Sequence, residues 1–250
     1  MTAFFTPAPP RVLAHRGLAT AAPENTLAAF RAAVAAGATH IETDVHASSD
    51  GVAIVSHDAV LDRVAGRPGR VADLTAAELA EVDLGGGEGY PTLAQALAEF
   101  PDVRFNIDIK EAAVAAPAVA AIVAADAIDR VLVASFDDAR RLAAVRELPG
   151  VATSVGRAGA LPAIIGARLG WTGLVRRVLR DVQAVQFPVS QSGLRVITRR
   201  SVATFRAVGV EVHVWTVNDP AEMTRLLDLG VDGLITDRAD LALPLVSARR

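Results

Sequence analysis

The sequence predicts an α/β protein, a (β/α)8 TIM-type barrel with a small insertion after the second strand. Three observations carry this expectation. Eight short β-rich runs recur along 250 residues, with helical or turn-rich stretches between them, the rhythm of βα units in a parallel sheet. Glycine separates helix from strand in Ala36-Gly37-Ala38, Val208-Gly209-Val210 and Leu229-Gly230-Val231, where it supplies the left-handed stop of a helix. Polar residues also collect toward the C-terminal ends of the runs, where a barrel does its chemistry. A doubly wound open sheet is the alternative, but no G-x-G-x-x-G opens the first βα unit, which disfavours a dinucleotide fold.

The elements follow in order. Val12–His15 is the first run. An Ala-rich helix comes next, capped by Asn25 or Thr26 and ending at Gly37, and it leads into His40–Val45. Val52–Ser56 reads as an extra strand and opens a segment that breaks the rhythm: a polar loop at Val64–Arg70, a short helix, and Gly85-Gly86-Gly87. Thr75 with Glu78 and Thr92 with Gln95 have the spacing of capping boxes. The remaining strands are Val103–Ile109, Val131–Phe136, Val151–Val155, Ala184–Phe187, Glu211–Val217 and Gly233–Thr236. Asn218-Asp219-Pro220 offers a helix cap followed by proline in the first turn, where its missing N–H costs nothing. No linker divides the chain, so residues 1–250 read as one domain, with the insertion at about 58–90.

Composition narrows the function. The chain is 52% hydrophobic and 21% charged, has a formal net charge of -3 and contains no cysteine. The last excludes a thiolate nucleophile, a disulfide scaffold and a cysteine-based metal site. The acidic balance argues against a nucleic-acid surface. The positive mean hydropathy of +0.35 is spread over scattered Ala, Val and Leu, and no run reaches the roughly 18 apolar residues of a membrane span. The N-terminal residues lack the basic start and apolar stretch of a signal peptide, so a soluble, cytoplasmic protein is expected. Between Ile164 and Arg180, Trp171, Leu174, Val175, Val178 and Leu179 are interleaved with Arg168, Arg176, Arg177 and Arg180. That pattern fits a barrel helix with a basic solvent face, or a peripheral contact with lipid. Oligomeric state leaves no trace in the sequence.

The chemistry concentrates in few residues. Glu42 and Asp44 alternate with Ile41, Thr43 and Val45, so a strand aims both carboxylates at one face. Asn106, Asp108 and Lys110 share a face in the same way, opposite Ile107 and Ile109. Three carboxylates and one ammonium thus point inward from two neighbouring strands, and burying them unpaired would be prohibitive. Either a closed ion-pair network or a bound cation must be present. Oxygen donors without cysteine favour a hard divalent ion, Mg2+ or Ca2+. Lys110 is the only lysine among 25 basic residues, and a compact ammonium differs from a guanidinium in shape and hydration. His15 and His57 end strands beside this cluster and can serve as general base and general acid. Arg16 offers a fork for a phosphate. His40, His46 and His213 read as structural, although His46 has the parity of Asp44.

These residues carry a resemblance. His15-Arg16-Gly17, Pro23-Glu24-Asn25-Thr26, Glu42-Thr43-Asp44-Val45 and Ser56-His57-Asp58 resemble the signature of the glycerophosphodiester phosphodiesterase family. The likeness continues through Asp73-Leu74-Thr75, Pro91-Thr92-Leu93, Asn106-Ile107-Asp108-Ile109-Lys110, Val214-Trp215-Thr216-Val217-Asn218 and Gly230-Val231-Asp232-Gly233. The set keeps its order over nearly the whole chain. The resemblance implies a TIM-type barrel that hydrolyses glycerophosphodiesters to sn-glycerol 3-phosphate and an alcohol with the help of a divalent metal ion. It implies His15 and His57 as the acid/base pair and Glu42, Asp44 and Asp108 as the metal ligands, with Ca2+ or Mg2+ as the ion. Arg16 and Lys110 would neutralise the phosphate and Trp215 would wall the pocket. One departure is visible: the third metal position is often Glu in this family and is Asp108 here, a shorter arm that bears on the choice of ion. Two alternatives remain: a phospholipase D-like relative acting on lysophospholipids or sphingomyelin, and a phosphate-ligand binding barrel without turnover. The partner expected is a small-molecule diester, with the alcohol unspecified.

Overall fold

A computed structural model describes residues 2–191 and 193–249. The strands are β1 (Arg11–His15), β2 (His40–Ala47), β3 (Ala53–Val55), β4 (Arg104–Ile109), β5 (Val131–Ala134), β6 (Ala152–Thr153), β7 (Ala184–Pro188), β8 (Ser190–Gln191), β9 (Leu194–Arg195), β10 (Glu211–Trp215) and β11 (Gly233–Thr236). The helices are α1 (Leu27–Ala35), α2 (Asp62–Ala65), α3 (Ala76–Ala80), α4 (Leu93–Glu99), α5 (Ala115–Ala124), α6 (Asp138–Arg146), α7 (Arg157–Leu169), α8 (Thr172–Val178), α9 (Arg199–Ala207), α10 (Pro220–Leu229) and α11 (Ala239–Ser247). Eight parallel strands lie side by side in the order β6-β5-β4-β2-β1-β11-β10-β7. The ends of this row meet through the parallel bridge between Ser154 and Ala184 and hydrogen bonds from Val155 N to Ala184 O (3.2 Å) and Gln183 N to Thr153 O (3.0 Å). The result is the nearly closed barrel that the alternation of elements predicts.

Period two sorts the side chains into two cores. Val12, Ala14, Ile41, Val45, Phe105, Ile107, Ile109, Val131 and Val133 face outward and pack under the helices. Leu13, Leu132, Ala134, Ala152, Ala184 and Ile235 face inward. Phe4 and Phe5, on a short 3-10 helix ahead of β1, join this inner cluster and are buried. His40 Nε2 lies 2.7 Å from the Phe4 carbonyl, and Arg11 donates to the Phe5 carbonyl at 3.0 Å. His40, Arg11, Glu211 and His213 therefore work at the N-terminal ends of the strands, away from the polar cluster.

Local signals act largely as expected. Thr26 caps α1 by accepting from Ala29 N, and both capping boxes form. Asp219 caps α10 with Pro220 in its first turn. Several strands end earlier than their β-rich sequence: Val131–Phe136 yields a strand only to Ala134, Val151–Val155 only Ala152–Thr153, and Glu211–Val217 ends at Trp215. The chain must leave the sheet there to enter α6, α7 and α10. The small hairpin β8–β9 has no counterpart among the expected elements. β2 instead runs on to Ala47, because β3 pairs antiparallel with its last residues, Val55 opposite Val45 and Ala53 opposite Ala47. The insertion that follows has its own small core of Ile54, Leu61, Val71, Leu79, Val82, Leu84 and Tyr90.

The turn after β1 is the tightest part of this frame. Arg16 and Gly17 both take left-handed backbone, with φ of 56° and 88°, and a Cβ on Gly17 would stand 2.7 Å from the backbone carbon of Ala29. Helix α1 can approach only because that position has no side chain. Gly17→Ala should therefore destabilise the protein by about 1–3 kcal/mol through positive-φ strain and overpacking. A urea melt tests this; an unchanged midpoint would show that the turn relaxes freely.

Candidate active site

The register of the sheet brings the polar residues together. His15 pairs with Glu42 across β1 and β2, Glu42 with Asn106 across β2 and β4, and Asp44 with Asp108 one layer higher. The backbone then folds two loops back over these strand ends. After β1, Arg16 N bonds to Glu42 O (2.8 Å) and Asn25 N to Arg16 O (2.9 Å); after β3, Ser56 N bonds to Asp44 O (3.0 Å) and sets His57 beside the cluster. His15, Arg16, Glu42, Asp44, His57, Asn106, Asp108, Lys110 and Trp215 line one cavity of about 460 Å3 at the C-terminal mouth of the barrel.

Lys110 occupies the centre of the charge cluster. Its Nζ lies 2.7 Å from Asp44 Oδ1 and 2.8 Å from Asp108 Oδ2. Arg16 Nε is 3.3 Å from Asp44 Oδ2, and Asn25 Nδ2 donates to the same oxygen at 3.2 Å. Asp44 is thus fully surrounded. Burial alone would raise its pKa, but the Lys110 and Arg16 charges outweigh that and hold it below the ordinary carboxylate value. Burial also opposes protonation of Lys110, yet Asp44 and Asp108 raise its pKa above the free value. Asp108 is raised, because burial there exceeds the help from Lys110. Glu42 fares worst: burial and then the Asp44 charge push its pKa up to about 8.

Glu42 Oε2, Asp108 Oδ1 and Asn106 Oδ1 are buried acceptors with no hydrogen-bond partner. Such atoms cost about 1–3 kcal/mol each when left unmatched. An ion-pair network therefore accounts for Asp44 and for one oxygen of Asp108, and reaches Glu42 only through His15, whose Nε2 lies 3.8 Å from Glu42 Oε2, beyond hydrogen-bond distance. The orphaned oxygens form a hard donor set that suits a divalent cation. Among the described residues, however, no three His, Cys, Asp or Glu side chains converge on one metal-sized point. The ammonium of Lys110 stands between the two aspartates where convergence would be needed, so cation binding requires these side chains to shift.

Both histidines are held on one ring nitrogen by a carboxylate. His15 Nδ1 lies 2.5 Å from Asp237 Oδ1, and Asn218 Nδ2 steadies the other oxygen of Asp237 at 2.6 Å. Burial would lower the His15 pKa, but the bond to Asp237 and the Glu42 charge reverse this and raise it. His57 Nδ1 lies 2.7 Å from Asp58 Oδ1, while Arg63 of the insertion bridges Asp58 Oδ2 and Glu24 Oε1, both at 2.6 Å. His46, one layer beyond Asp44 on β2, does not line the cavity; its Nδ1 is 3.3 Å from Glu111 and its Nε2 3.2 Å from the His57 carbonyl. Asp237, Asn25, Asn218 and Arg63 have no role in the sequence reading beyond caps and turns. Asn25 and Asn218 are candidate caps that also lie within motifs of the family resemblance, whereas Asp237 gives no signal, since its contact with His15 spans 222 residues.

The family model described as "Glycerophosphoryl diester phosphodiesterase family" matches residues 15–241, from the first histidine to just past Asp237. The chain belongs to the glycerophosphodiester phosphodiesterase family. It is 43% identical over 239 residues to "Probable glycerophosphodiester phosphodiesterase 2" of Mycobacterium tuberculosis, covering 95% of this chain and 90% of that protein. It is 31% identical over 249 residues to a glycerophosphodiester phosphodiesterase of Caldanaerobacter subterraneus, covering 94% and 97%. Among solved structures, an Oleispira antarctica phosphodiesterase in complex with the product sn-glycerol-3-phosphate superposes with a TM-score of 0.77 at 26% identity, covering 95% of this chain and 96% of that one. The glycerophosphodiester phosphodiesterase of Thermotoga maritima gives 0.71 at 30% identity, with coverage of 94% and 97%. As a glycerophosphodiester phosphodiesterase the chain is an enzyme, and the reading as a binding barrel without turnover falls away.

The carboxylate behind His15 gives a direct prediction. Asp237→Asn should lower the His15 pKa, because burial is then opposed by Glu42 alone. Titration of the ring proton by NMR checks this, and an unchanged pKa would mean that Asp237 does not act on the ring.

Proposed function

We propose that this phosphodiesterase hydrolyses glycerophosphodiesters to sn-glycerol 3-phosphate and an alcohol, with His15 and His57 as the acid/base pair. The observation that carries the reading is the pairing of each strand-end histidine with a carboxylate on Nδ1, in a cavity that also holds Arg16, Lys110 and three acidic side chains. With Nδ1 engaged by Asp237 or Asp58, Nε2 is the atom left for proton transfer. One histidine accepts a proton from the nucleophile as the new P–O bond forms, the nucleophile being either water or the neighbouring glycerol hydroxyl, whose cyclic phosphate a water then opens. The other donates a proton to the departing alkoxide as the old P–O bond breaks. Arg16 and Lys110 supply positive charge where the phosphoryl oxygens gain negative charge, usually the largest part of such catalysis. Trp215 walls the far side of the cavity, packed edge-on against Phe136 at 5.9 Å between centroids.

Glu42, Asp44 and Asp108, with Asn106 beside them, are the residues that would hold a divalent ion, Ca2+ or Mg2+. Such an ion would polarise a phosphoryl oxygen. With all three carboxylates ionised they outnumber Lys110 and Arg16 by one negative charge, and a bound cation would offset the burial and the Asp44 charge that push the Glu42 pKa up to about 8. The shorter arm of Asp108 favours an ion that keeps more water.

A second reading, headgroup release from lysophospholipids, draws support from the apolar outer wall of the cavity, where Phe136, Val155, Ile164, Phe187 and Trp215 line it. Release of glycerol 3-phosphate from glycerophosphocholine separates the two. The parent should release it, and His15→Ala and His57→Ala should each lose about 10^2-fold or more with an intact circular dichroism spectrum. EDTA should abolish turnover, with recovery on adding Ca2+ or Mg2+. Turnover of lysophosphatidylcholine alone would favour the second reading, and full activity in EDTA would remove the ion from the account.

A further inference from the structure

Apart from three isolated valines, the large hydrophobic side chains left exposed among the described residues are Phe136, Leu161, Ile165, Leu169 and Trp171. Four of these five lie on α7 or directly after it. Helix α7 divides its circumference three ways. Arg157, Ala160 and Ile164 line the cavity, and Ala163, Gly166 and Ala167 are buried against the body of the protein. Leu161, Ile165 and Leu169 recur every four residues on the side left to solvent, the spacing that aligns side chains into a stripe. Leu161 is 65% exposed and Trp171, which follows the helix, is 55% exposed. Phe136 stands at the start of the same helix, since Arg157 N bonds to its carbonyl at 2.9 Å, and it also lines the cavity. The apolar stripe therefore begins at the active-site mouth.

The charge around the stripe is one-sided. In a chain with a net charge of -3, residues 157–180 carry Arg157, Arg168, Arg176, Arg177 and Arg180 and no carboxylate. Arg180 is paired with Asp181 at 3.0 Å. Arg176 and Arg177, exposed in the last turn of α8, have no carboxylate partner among the described residues. An exposed apolar patch flanked by unpaired arginines, with a tryptophan at its end, has the chemistry of a helix that lies in the plane of a lipid interface. A second copy of the chain would bring the same five arginines against themselves, so the charge selects an anionic partner. We propose that α7, Trp171 and the arginines of α8 form a docking surface for an anionic lipid bilayer, which seats the cavity mouth at the membrane interface. No helix among the described residues is long and apolar enough to cross a membrane, and the contact proposed here is peripheral.

The test is co-sedimentation of the full chain with vesicles of phosphatidylcholine, with and without phosphatidylglycerol, at low and high salt. The parent should bind the anionic vesicles and leave them as salt screens the arginines. The double variant Arg176→Glu/Arg177→Glu should weaken that binding by about tenfold or more, and so should Leu161→Ser/Ile165→Ser/Trp171→Ala. Hydrolysis of soluble glycerophosphocholine should stay unchanged in both, since none of these side chains lines the cavity; its loss together with the binding would report misfolding, and the charge pair, wholly on the surface, then decides alone. No binding by the parent, or equal binding by parent and variants, would overturn the proposal. So would a parent that light scattering finds dimeric and the apolar variant monomeric, since a second copy would then cover the stripe.

Discussion

Everything at the mouth of this barrel depends on how three acidic side chains are kept inside it. Buried carboxylates are tolerated only when a positive charge or hydrogen-bond donors meet them. Lys110 meets two of them at once, at 2.7 and 2.8 Å. Its position follows from the register: β2 and β4 pair Asp44 with Asp108, and Lys110 lies two residues further on, with the same parity. Arginine would not serve in the same way, because a planar fork cannot place one compact charge between two side chains so close together. Arg16 and Asn25 complete the shell around Asp44, and both take left-handed backbone to do so, with φ of 56° and 57°. The strained turns after β1 and before α1 are thus tied to the electrostatics of β2.

What Lys110 cannot reach defines the rest of the site. Glu42 lies one layer deeper, where burial and Asp44 raise its pKa to about 8, and its outer oxygen lacks a partner. The same layer carries His15, whose Nε2 is 3.8 Å from Glu42 Oε2. Charge at Glu42 and protonation at His15 are therefore coupled, and Asp237 anchors the other face of the imidazole. His57 has a parallel support in Asp58, but that support comes from the insertion side, through Arg63 and Glu24. One histidine is braced from the last strand of the barrel and the other from the loops over β2, so the two reach the cavity from opposite parts of the chain.

Much of this was legible in the sequence. Glu42/Asp44 and Asn106/Asp108 alternate with β-branched residues and can face only one way, and their strands are neighbours. His15 and His57 stand at strand ends, and the motifs around them single out the family. Asp237, Asn218 and Asn25 were illegible for a physical reason. Asp, Asn and Thr near helix starts are ordinary caps, and only long-range packing shows which of them turn inward: Thr26 and Asp219 cap, whereas Asn25 and Asn218 bind carboxylates. Arg63 was hidden in an insertion without periodicity. The role of Lys110 was half visible, its parity plain but its seat between two aspartates set by inter-strand distance. The shortness of β6 was hidden as well, because Val151–Val155 is β-rich in composition and Gly156 already opens the next helix.

On the function proposed above, a divalent cation resolves the unmatched acidity at Glu42, which protein groups alone leave unpaired. The most direct measurement is the shift in thermal midpoint on adding Ca2+ or Mg2+, compared between the parent and Glu42→Gln. An ion bound only by the folded state stabilises it by RT ln(1 + [L]/Kd), about 2.7 kcal/mol at a hundredfold excess over Kd. A saturable rise is expected in the parent and little or none in Glu42→Gln, whose neutral amide cannot supply a carboxylate to the ion. An equal rise in both proteins, or none in either, would contradict a cation held at Glu42.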